Sequence, residues 1–132
     1  MKTGIIAGNF DVLHPGYIAM FKEASLVCDR VVVALQGDPT LERPNKIKPI
    51  LSIDERLETL IAIKYISEIV TYDLESELEE LIEKIKPDVR LLGEDYRFRT
   101  DYTGYGLCPV VHFFNRNHGW SATKFKNLIK NN

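Results

Sequence analysis

The chain has 132 residues, of which 45% are hydrophobic and 27% charged, and its formal net charge is −2. These values predict a single globular domain over residues 1–132 with one core. The slightly negative charge argues against nucleic acid or an anionic membrane as a partner. No apolar run approaches the roughly 18 residues of a membrane span, so we expect none.

Cysteine content and the first residues bear on the compartment. Cys28 and Cys108 lie far apart without metal-ligand spacing, which favours two reduced, buried thiols. Met1 leads directly into a strand pattern, without the basic and apolar regions of a signal peptide. We therefore expect a cytoplasmic protein.

The first elements are a strand over residues 2–7 and a helix over residues 15–27. Gly8 and Asn9 break the strand, and Pro15 suits the first helical position, which places His14 at the N-cap. Backbone N–H groups and the helix dipole at such a turn can bind an anion, and His14 can donate to a phosphate oxygen. An ordinary strand–helix turn with a surface histidine explains the same pattern.

Residues 8–17 resemble the G-x-F-D-x-x-H-x-G-H signature of nucleotidyltransferases related to glycerol-3-phosphate cytidylyltransferase. The signature has a second histidine where this chain has Tyr17. The resemblance implies that the segment binds the nucleotide and that His14 is catalytic. The implied nucleotide-binding residues are Gly8, Asn9, Phe10, Asp11, His14, Pro15, Gly16 and Tyr17.

A second strand, predicted over residues 31–35, is followed by a long polar connection over residues 36–51 that contains Arg43, Lys46 and Lys48. These cations fit a solvated loop, or a basic lid if an anion site lies beside it. The family has a Lys-x-Lys pair in this loop. The resemblance implies that Lys46 is catalytic and that Lys48 binds a phosphate.

The middle of the chain continues the alternation. Ser52 and Glu55 form a predicted capping box for a second helix that reaches about residue 65. Arg56, in its first turn, is either an exposed cation or, as the resemblance implies, a residue that supports the nucleotide site. A third strand is expected over residues 67–72, a third helix with a solvated acidic face over 75–86, and a fourth strand over 88–92.

The turn after the fourth strand resembles the family's G-D-D-W-like turn, with Asp95 retained, so Asp95 is an expected nucleotide contact. Ligands bind at the carboxyl ends of parallel strands, which fits this position. The loop over residues 97–106 is rich in Arg and Tyr. It contacts either the acceptor substrate or a second subunit.

A last strand is predicted over residues 109–114, and Ser121 caps a C-terminal helix. The intervening segment resembles the family's R-T-E-G-I-S-T-T motif, which implies a catalytic Arg116 and binding of the pyrophosphate end. The implied binding residues are Arg116, Asn117, His118, Gly119, Trp120, Ser121, Ala122 and Thr123. A phenol can donate one hydrogen bond, so we expect Tyr17 to replace the second histidine as a phosphate donor. A second hypothesis is that His118 supplies the missing imidazole.

The whole pattern predicts an α/β domain, a five-stranded parallel sheet with helices on both faces. The resemblance implies the Rossmann-like nucleotidyltransferase fold and CMP transfer from CTP to a small phosphorylated alcohol, such as glycerol 3-phosphate. It also implies Mg²⁺ with the triphosphate, no separate protein metal site, and a homodimer. Alternatives are an adenylyltransferase of the same fold, a nucleotide-binding module with weak or no catalysis, and a flavodoxin-like binding domain.

Overall fold

The computed structural model describes residues 1–115 and 117–131, apart from the side chain of Ala122. Helices and strands follow the predicted alternation. The strands are β1 (Thr3–Gly8), β2 (Arg30–Gln36), β3 (Glu68–Tyr72), β4 (Val89–Gly93) and β5 (Val110–Phe114), and the helices are α1 (Pro15–Val27), α2 (Ile53–Ile61), α3 (Glu75–Ile85) and α4 (Ala122–Lys130).

The five strands form one parallel sheet in the order β3-β2-β1-β4-β5, which confirms the predicted Rossmann-like α/β fold. The order in which successive strands are added reverses between β1 and β4: β2 and β3 lie on one side of β1, and β4 and β5 lie on the other. At such a reversal, the loops after the two central strands diverge and leave a crevice at the carboxyl edge. This crevice is where β1 leads into the His14 turn.

Side chains alternate across β2 and build two cores. Val31, Val33 and Leu35 join Phe21 of α1 and Leu60 of α2 in one core. Val32 and Ala34 face the other side, where they join Leu78 and Ile82 of α3. Burial on both faces explains the uninterrupted apolar run of this strand.

The second helix begins as predicted but ends earlier. Ser52 Oγ accepts from Glu55 N–H and Glu55 accepts from Ser52 N–H, which completes the capping box. However, α2 ends at Ile61 rather than near residue 65. Val31 N–H donates to Ser67 Oγ and Ser67 N–H donates to Val31 O. These bonds turn the chain into β3, so Ile63 and Tyr65 pack on the core from a turn.

Cys28 and Cys108 are both buried free thiols, as expected. Across residues 1–115 and 117–131, no helix combines the length and apolar character that crossing a membrane requires.

Candidate active site

His14 lies at the N-cap of α1, directly after the turn that leaves β1. Its backbone is extended, and its Nδ1 accepts a hydrogen bond of 3.0 Å from Gly16 N–H. Only 6% of the residue is exposed. Because Nδ1 is an acceptor here, the proton of the neutral ring is on Nε2, which is a donor.

His118 adopts the same local arrangement four residues before α4. Trp120 N–H donates to its Nδ1 at 2.9 Å, which again places the proton of the neutral ring on Nε2. The two imidazoles meet around Gly16. A Cβ atom added there would lie 2.8 Å from Cε1 of His14 and 2.7 Å from Cε1 of His118. Gly16 therefore leaves the space in which both rings fit.

Aromatic side chains fix the plane of the His14 ring. Tyr17 stacks on it with centroids 4.3 Å apart, and Trp120 lies nearly parallel at 5.8 Å. Phe125 of α4 contacts it edge-on, and Phe10 contacts Tyr17 edge-on. Tyr17 thus supports His14 with its ring, whatever its hydroxyl contributes.

The two histidines line a small cavity of about 130 Å³, here called the histidine cavity. Its other lining residues are Gly16, Tyr17, Met20, Gly93, Phe114, Asn115 and Trp120. A larger cavity of about 470 Å³, here called the main cleft, shares Tyr17, Met20 and Gly93 with it. The main cleft runs along the carboxyl ends of β1, β2 and β4 and includes Gly8, Asn9 and Phe10.

Asp11 is buried and joins three segments of the chain. Its carboxylate accepts Ile50 N–H at 2.8 Å, Leu51 N–H at 2.9 Å, and the ammonium of Lys126 of α4 at 3.0 Å. Burial raises the pKa of Asp11, but these backbone bonds and Lys126 outweigh it, so the pKa lies below its ordinary value. The carboxylate anchors the end of the lysine-bearing loop.

Arg56 is buried, with 3% exposed, so its interpretation as an exposed cation is wrong. Its guanidinium donates to the carbonyls of Asn9 at 2.9 Å, Gln36 at 2.6 Å and Gly37 at 2.5 Å. Its Nε donates to the carbonyls of residues 51 and 52. Arg56 therefore ties the ends of β1 and β2 to the start of α2, which fits its support of the site.

The predicted basic loop is exposed, and its lysines lie in different places. Lys46 lines the main cleft together with Arg43, whereas Lys48 does not line it. Arg43 is 3.8 Å from the carboxylate of Glu75, while Lys46 forms no ion pair with any described residue. Lys46 is thus the loop cation available to an anionic ligand in the cleft.

Only part of the second family motif, over residues 116–123, lies close to His14. Ser121 caps α4 by accepting from Lys124 N–H at 3.1 Å, as predicted, but Ser121 and Thr123 line a separate recess along α4. Gly119 has a φ of +73°, which favours glycine at the turn between His118 and Trp120. Arg116 lies outside the described residues. Asp95 is exposed after β4 and lines neither cavity.

Sequence reasoning missed Arg90, which lies within β4 and lines the main cleft although it is only 5% exposed. Buried neighbours of this cleft include Tyr72 and Gln36, at the ends of β3 and β2. The signal in the sequence was an arginine inside a run of apolar strand residues. In the part of the chain that the structure describes, no group of three His, Cys, Asp or Glu side chains could hold a metal ion.

The sequence model of a family described as Cytidylyltransferase-like matches residues 5–127. The chain belongs to this family. It is a family of nucleotidyltransferases, in agreement with the predicted class, and both histidines and the lysine loop fall within the matched range.

Two similar proteins of known sequence were found. It is 34% identical to the Bifunctional protein HldE of Gluconacetobacter diazotrophicus over 98 residues, 74% of this chain and 20% of that protein. It is 36% identical to the FAD synthase of Pyrococcus abyssi over 94 residues, 71% of this chain and 64% of that one. It therefore spans a fifth of one relative and just under two thirds of the other.

A solved structure shares the fold. The lipopolysaccharide core biosynthesis protein from Thermoplasma volcanium superposes with a TM-score of 0.68 and 26% identity, covering 87% of this chain and 98% of the other. A match over nearly the whole of both chains supports the fold assignment for all five strands.

Proposed function

We propose that this chain transfers a nucleotidyl group from a nucleoside triphosphate to the phosphate of a small phosphorylated acceptor. In the form that the motifs favour, the donor is CTP, the acceptor is a phosphorylated alcohol, and the product is a CDP-alcohol. The observation that carries the proposal is the meeting of two imidazoles, His14 and His118, around Gly16 at the carboxyl edge of the sheet.

The reaction is a displacement at phosphorus. An oxygen of the acceptor phosphate bonds to the α-phosphorus, the bond from that phosphorus to the β-bridging oxygen breaks, and pyrophosphate leaves. The acceptor phosphate is already ionised near neutral pH, so no strong base is required. The protein must align the two phosphates and neutralise charge at the α-phosphate and the leaving group.

His14 supplies a donor of fixed orientation. Since its Nδ1 is occupied by Gly16 N–H, its Nε2–H is the group that donates to phosphate oxygens. Lys46 brings a positive charge from the loop into the main cleft. The roles of Arg116, Ser121 and Thr123 at the pyrophosphate end, and of Lys48 at a phosphate, rest on the family motifs.

Mg²⁺ belongs to the proposal as a companion of the triphosphate. The described residues offer no cluster of metal ligands, so phosphate oxygens of the nucleotide together with water would supply most of the six oxygen ligands of Mg²⁺. Its chemistry there is to neutralise charge on the triphosphate. A homodimer is also proposed, and light scattering of the purified protein tests it.

Adenylyl transfer is a second candidate, because FAD, the product in the name of one relative, carries an adenylyl group. The same site chemistry serves either nucleotide, since the reacting phosphates are identical. The deciding assay is pyrophosphate release with Mg²⁺, CTP or ATP, and a panel of phosphorylated alcohols, sugar phosphates and flavin mononucleotide. Release with one pair, lost in His14→Ala, supports the proposal. Absence of release with every pair contradicts it.

The structure also sharpens the hypothesis that His118 replaces the family's second histidine. Both rings accept a backbone N–H at Nδ1, which leaves the proton of the neutral ring on Nε2, and both border the same glycine. We expect His118→Ala to lower turnover about 10²–10³-fold, as the loss of a charge-stabilising donor does, and Tyr17→Phe to retain most of it. Full turnover in His118→Ala with none in Tyr17→Phe would reverse the two roles.

A further inference from the structure

Arg90 is an isolated charge in the interior of the sheet. It lies in β4 between Val89 and Leu91, and 5% of it is exposed. Its Nη1 donates to the carbonyl of Thr103 at 2.7 Å, and its guanidinium lies 5.4 Å from the ring centroid of Tyr102. Its Nε is enclosed and has no hydrogen-bond acceptor among the described residues. It forms no ion pair with a described residue.

A guanidinium in this state is unfavourable for the folded chain alone. Burial lowers the pKa of Arg90 from its ordinary value, yet arginine remains charged in proteins. A buried cation normally requires a carboxylate or several hydrogen bonds. Here the bond to Thr103 occupies Nη1 and Nε is enclosed, so Nη2 is the guanidinium nitrogen that remains without a hydrogen-bond partner among the described residues. Nη2 can donate a charge-assisted hydrogen bond to an oxygen of a carboxylate or phosphate group in the cleft.

The surroundings favour an anion from outside the chain. The cleft that Arg90 lines contains two carboxylates, and each already has an arginine partner: Glu75 lies beside Arg43, and Asp101 accepts two bonds from Arg99. Arg90 and Lys46 are left as the cleft cations that form no ion pair with a described residue. Two positive charges without partners in one cleft match a ligand with two acidic groups.

The loop over residues 102–104 packs tightly against the Arg90 side chain. Gly104 has a φ of +81°, and a Cβ atom there would lie 2.8 Å from Nη1 of Arg90 and 2.6 Å from Cδ1 of Ile82. Glycine is thus needed both for the backbone conformation and for the approach of the loop. The chain brings Thr103 and Tyr102 onto one side of the guanidinium and leaves the cleft on another.

We propose that Arg90 determines acceptor specificity by binding a second acidic group, a carboxylate or a phosphate, on the acceptor. This inference rests on the proposed function for the reacting phosphate, which binds near His14 and Lys46. The acceptor class is then a phosphorylated acid or a bisphosphate, and a phosphorylated alcohol without a second acidic group, such as glycerol 3-phosphate, binds more weakly.

Two pairs of compounds test this by calorimetry on the full chain, and each pair differs by one acidic group. They are 3-phosphoglycerate with glycerol 3-phosphate, and fructose 1,6-bisphosphate with fructose 6-phosphate. The first pair tests a carboxylate and the second a phosphate. We expect the more acidic member of at least one pair to bind about tenfold tighter or better, the size of one charge-assisted hydrogen bond.

Three variants separate this role from a structural one. Arg90→Met should abolish the preference, and Arg90→Lys should retain only part of it because an ammonium lacks the planar fork. Arg97→Met is the matched control, since Arg97 is exposed, pairs with Glu94 and does not line the main cleft. It should keep the preference. The melting temperature of Arg90→Met should stay level or rise, because an unpaired buried charge is removed.

The outcomes distinguish this inference from the proposed function, because binding needs no turnover. Equal binding within both pairs, or a preference that survives Arg90→Met, overturns the role of Arg90 even if pyrophosphate is released. A preference lost only at Arg90, without any release, overturns the transfer reaction alone. If Arg90→Met fails to fold, arginine side-chain NMR of the wild type decides: an Arg90 Nε–H signal that does not move with 3-phosphoglycerate or fructose 1,6-bisphosphate refutes the proposal.

Discussion

Asp11→Asn isolates the contribution of one buried carboxylate to the architecture around the site. Asp11 is 4% exposed, and it accepts two backbone N–H groups from the end of the lysine loop and the ammonium of Lys126. The amide has the same size but one acceptor oxygen fewer. One of the two backbone N–H groups then faces an NH₂ group, and Lys126 loses its counter-charge.

The size of the effect follows from those contacts. Charge-assisted hydrogen bonds contribute about 1.5–3 kcal/mol each, and the asparagine retains part of one, so we expect the free energy of unfolding to fall by about 2–4 kcal/mol. Domains of this size are stable by roughly 5–15 kcal/mol in total. At about 4 °C per kcal/mol, the melting temperature should fall by roughly 8–16 °C.

Urea unfolding at neutral pH measures this loss, and Lys126→Met with the double variant completes a thermodynamic cycle. The coupling energy should reach about 1 kcal/mol or more, because the pair is partly buried. Trypsin should also cut the loop that contains Lys46 and Lys48 faster in Asp11→Asn. A loss below about 0.5 kcal/mol, or no coupling with Lys126, would refute the reasoning.

The same residue predicts a pH dependence. The pKa of Asp11 is lower in the folded chain than its ordinary value, so its stabilisation is present above the unfolded pKa of about 4 and is lost as the pH falls through the folded value. Wild-type stability should therefore decline more steeply than that of Asp11→Asn below about pH 4. Parallel curves for the two proteins would contradict this.

Three further predictions concern other buried groups. Arg56→Leu should destabilise the fold by about 3–5 kcal/mol, because three strand-end carbonyls lose their donor, whereas Arg30→Leu, which removes an exposed partner of β3, should change stability by less than about 1 kcal/mol in the same urea assay. Gly16→Ala should weaken nucleotide binding at least about tenfold in calorimetry, since two imidazoles must move. Cys28 and Cys108 should resist a thiol reagent until urea unfolds the chain, because burial raises the pKa of both thiols.

The sequence was sufficient for the elements and for the centre of the site. Short apolar runs and period-3.6 patterns predicted five strands and four helices, and the glycine–proline turn placed His14 at the start of α1. The sequence was insufficient where contacts between distant segments determine the burial and the partners of a charged side chain. The sequence left two interpretations of Arg56 open, an exposed cation or a support of the nucleotide site. It could not decide between them, because the carbonyl partners of Arg56 at residues 9, 36 and 37 come from distant segments.

Asp11 and Arg90 show the same limit. The sequence motif suggested that Asp11 contacts the nucleotide, but its carboxylate binds residues 39, 40 and 115 positions away, which no local pattern reveals. Arg90 was counted as one residue of a strand, since the carbonyl that it contacts, Thr103 O, lies in a loop 13 positions away. Local periodicity gives a residue's face, whereas its charge partners follow from the tertiary fold.

The buried charges around the crevice therefore fall into two kinds, and the distinction is chemical. Asp11 and Arg56 have their hydrogen-bonding groups directed to backbone and to Lys126, so they position the loops that frame the site. Among the described residues, Arg90 has one hydrogen-bond acceptor, Thr103 O, and its enclosed Nε has none. Residues of the first kind should affect binding of every ligand in proportion to their effect on stability. A residue of the second kind should change the choice of ligand without that loss of stability. Stability and ligand preference measured together for Arg56→Leu and Arg90→Met therefore distinguish a residue that positions the loops from one that recognises the ligand.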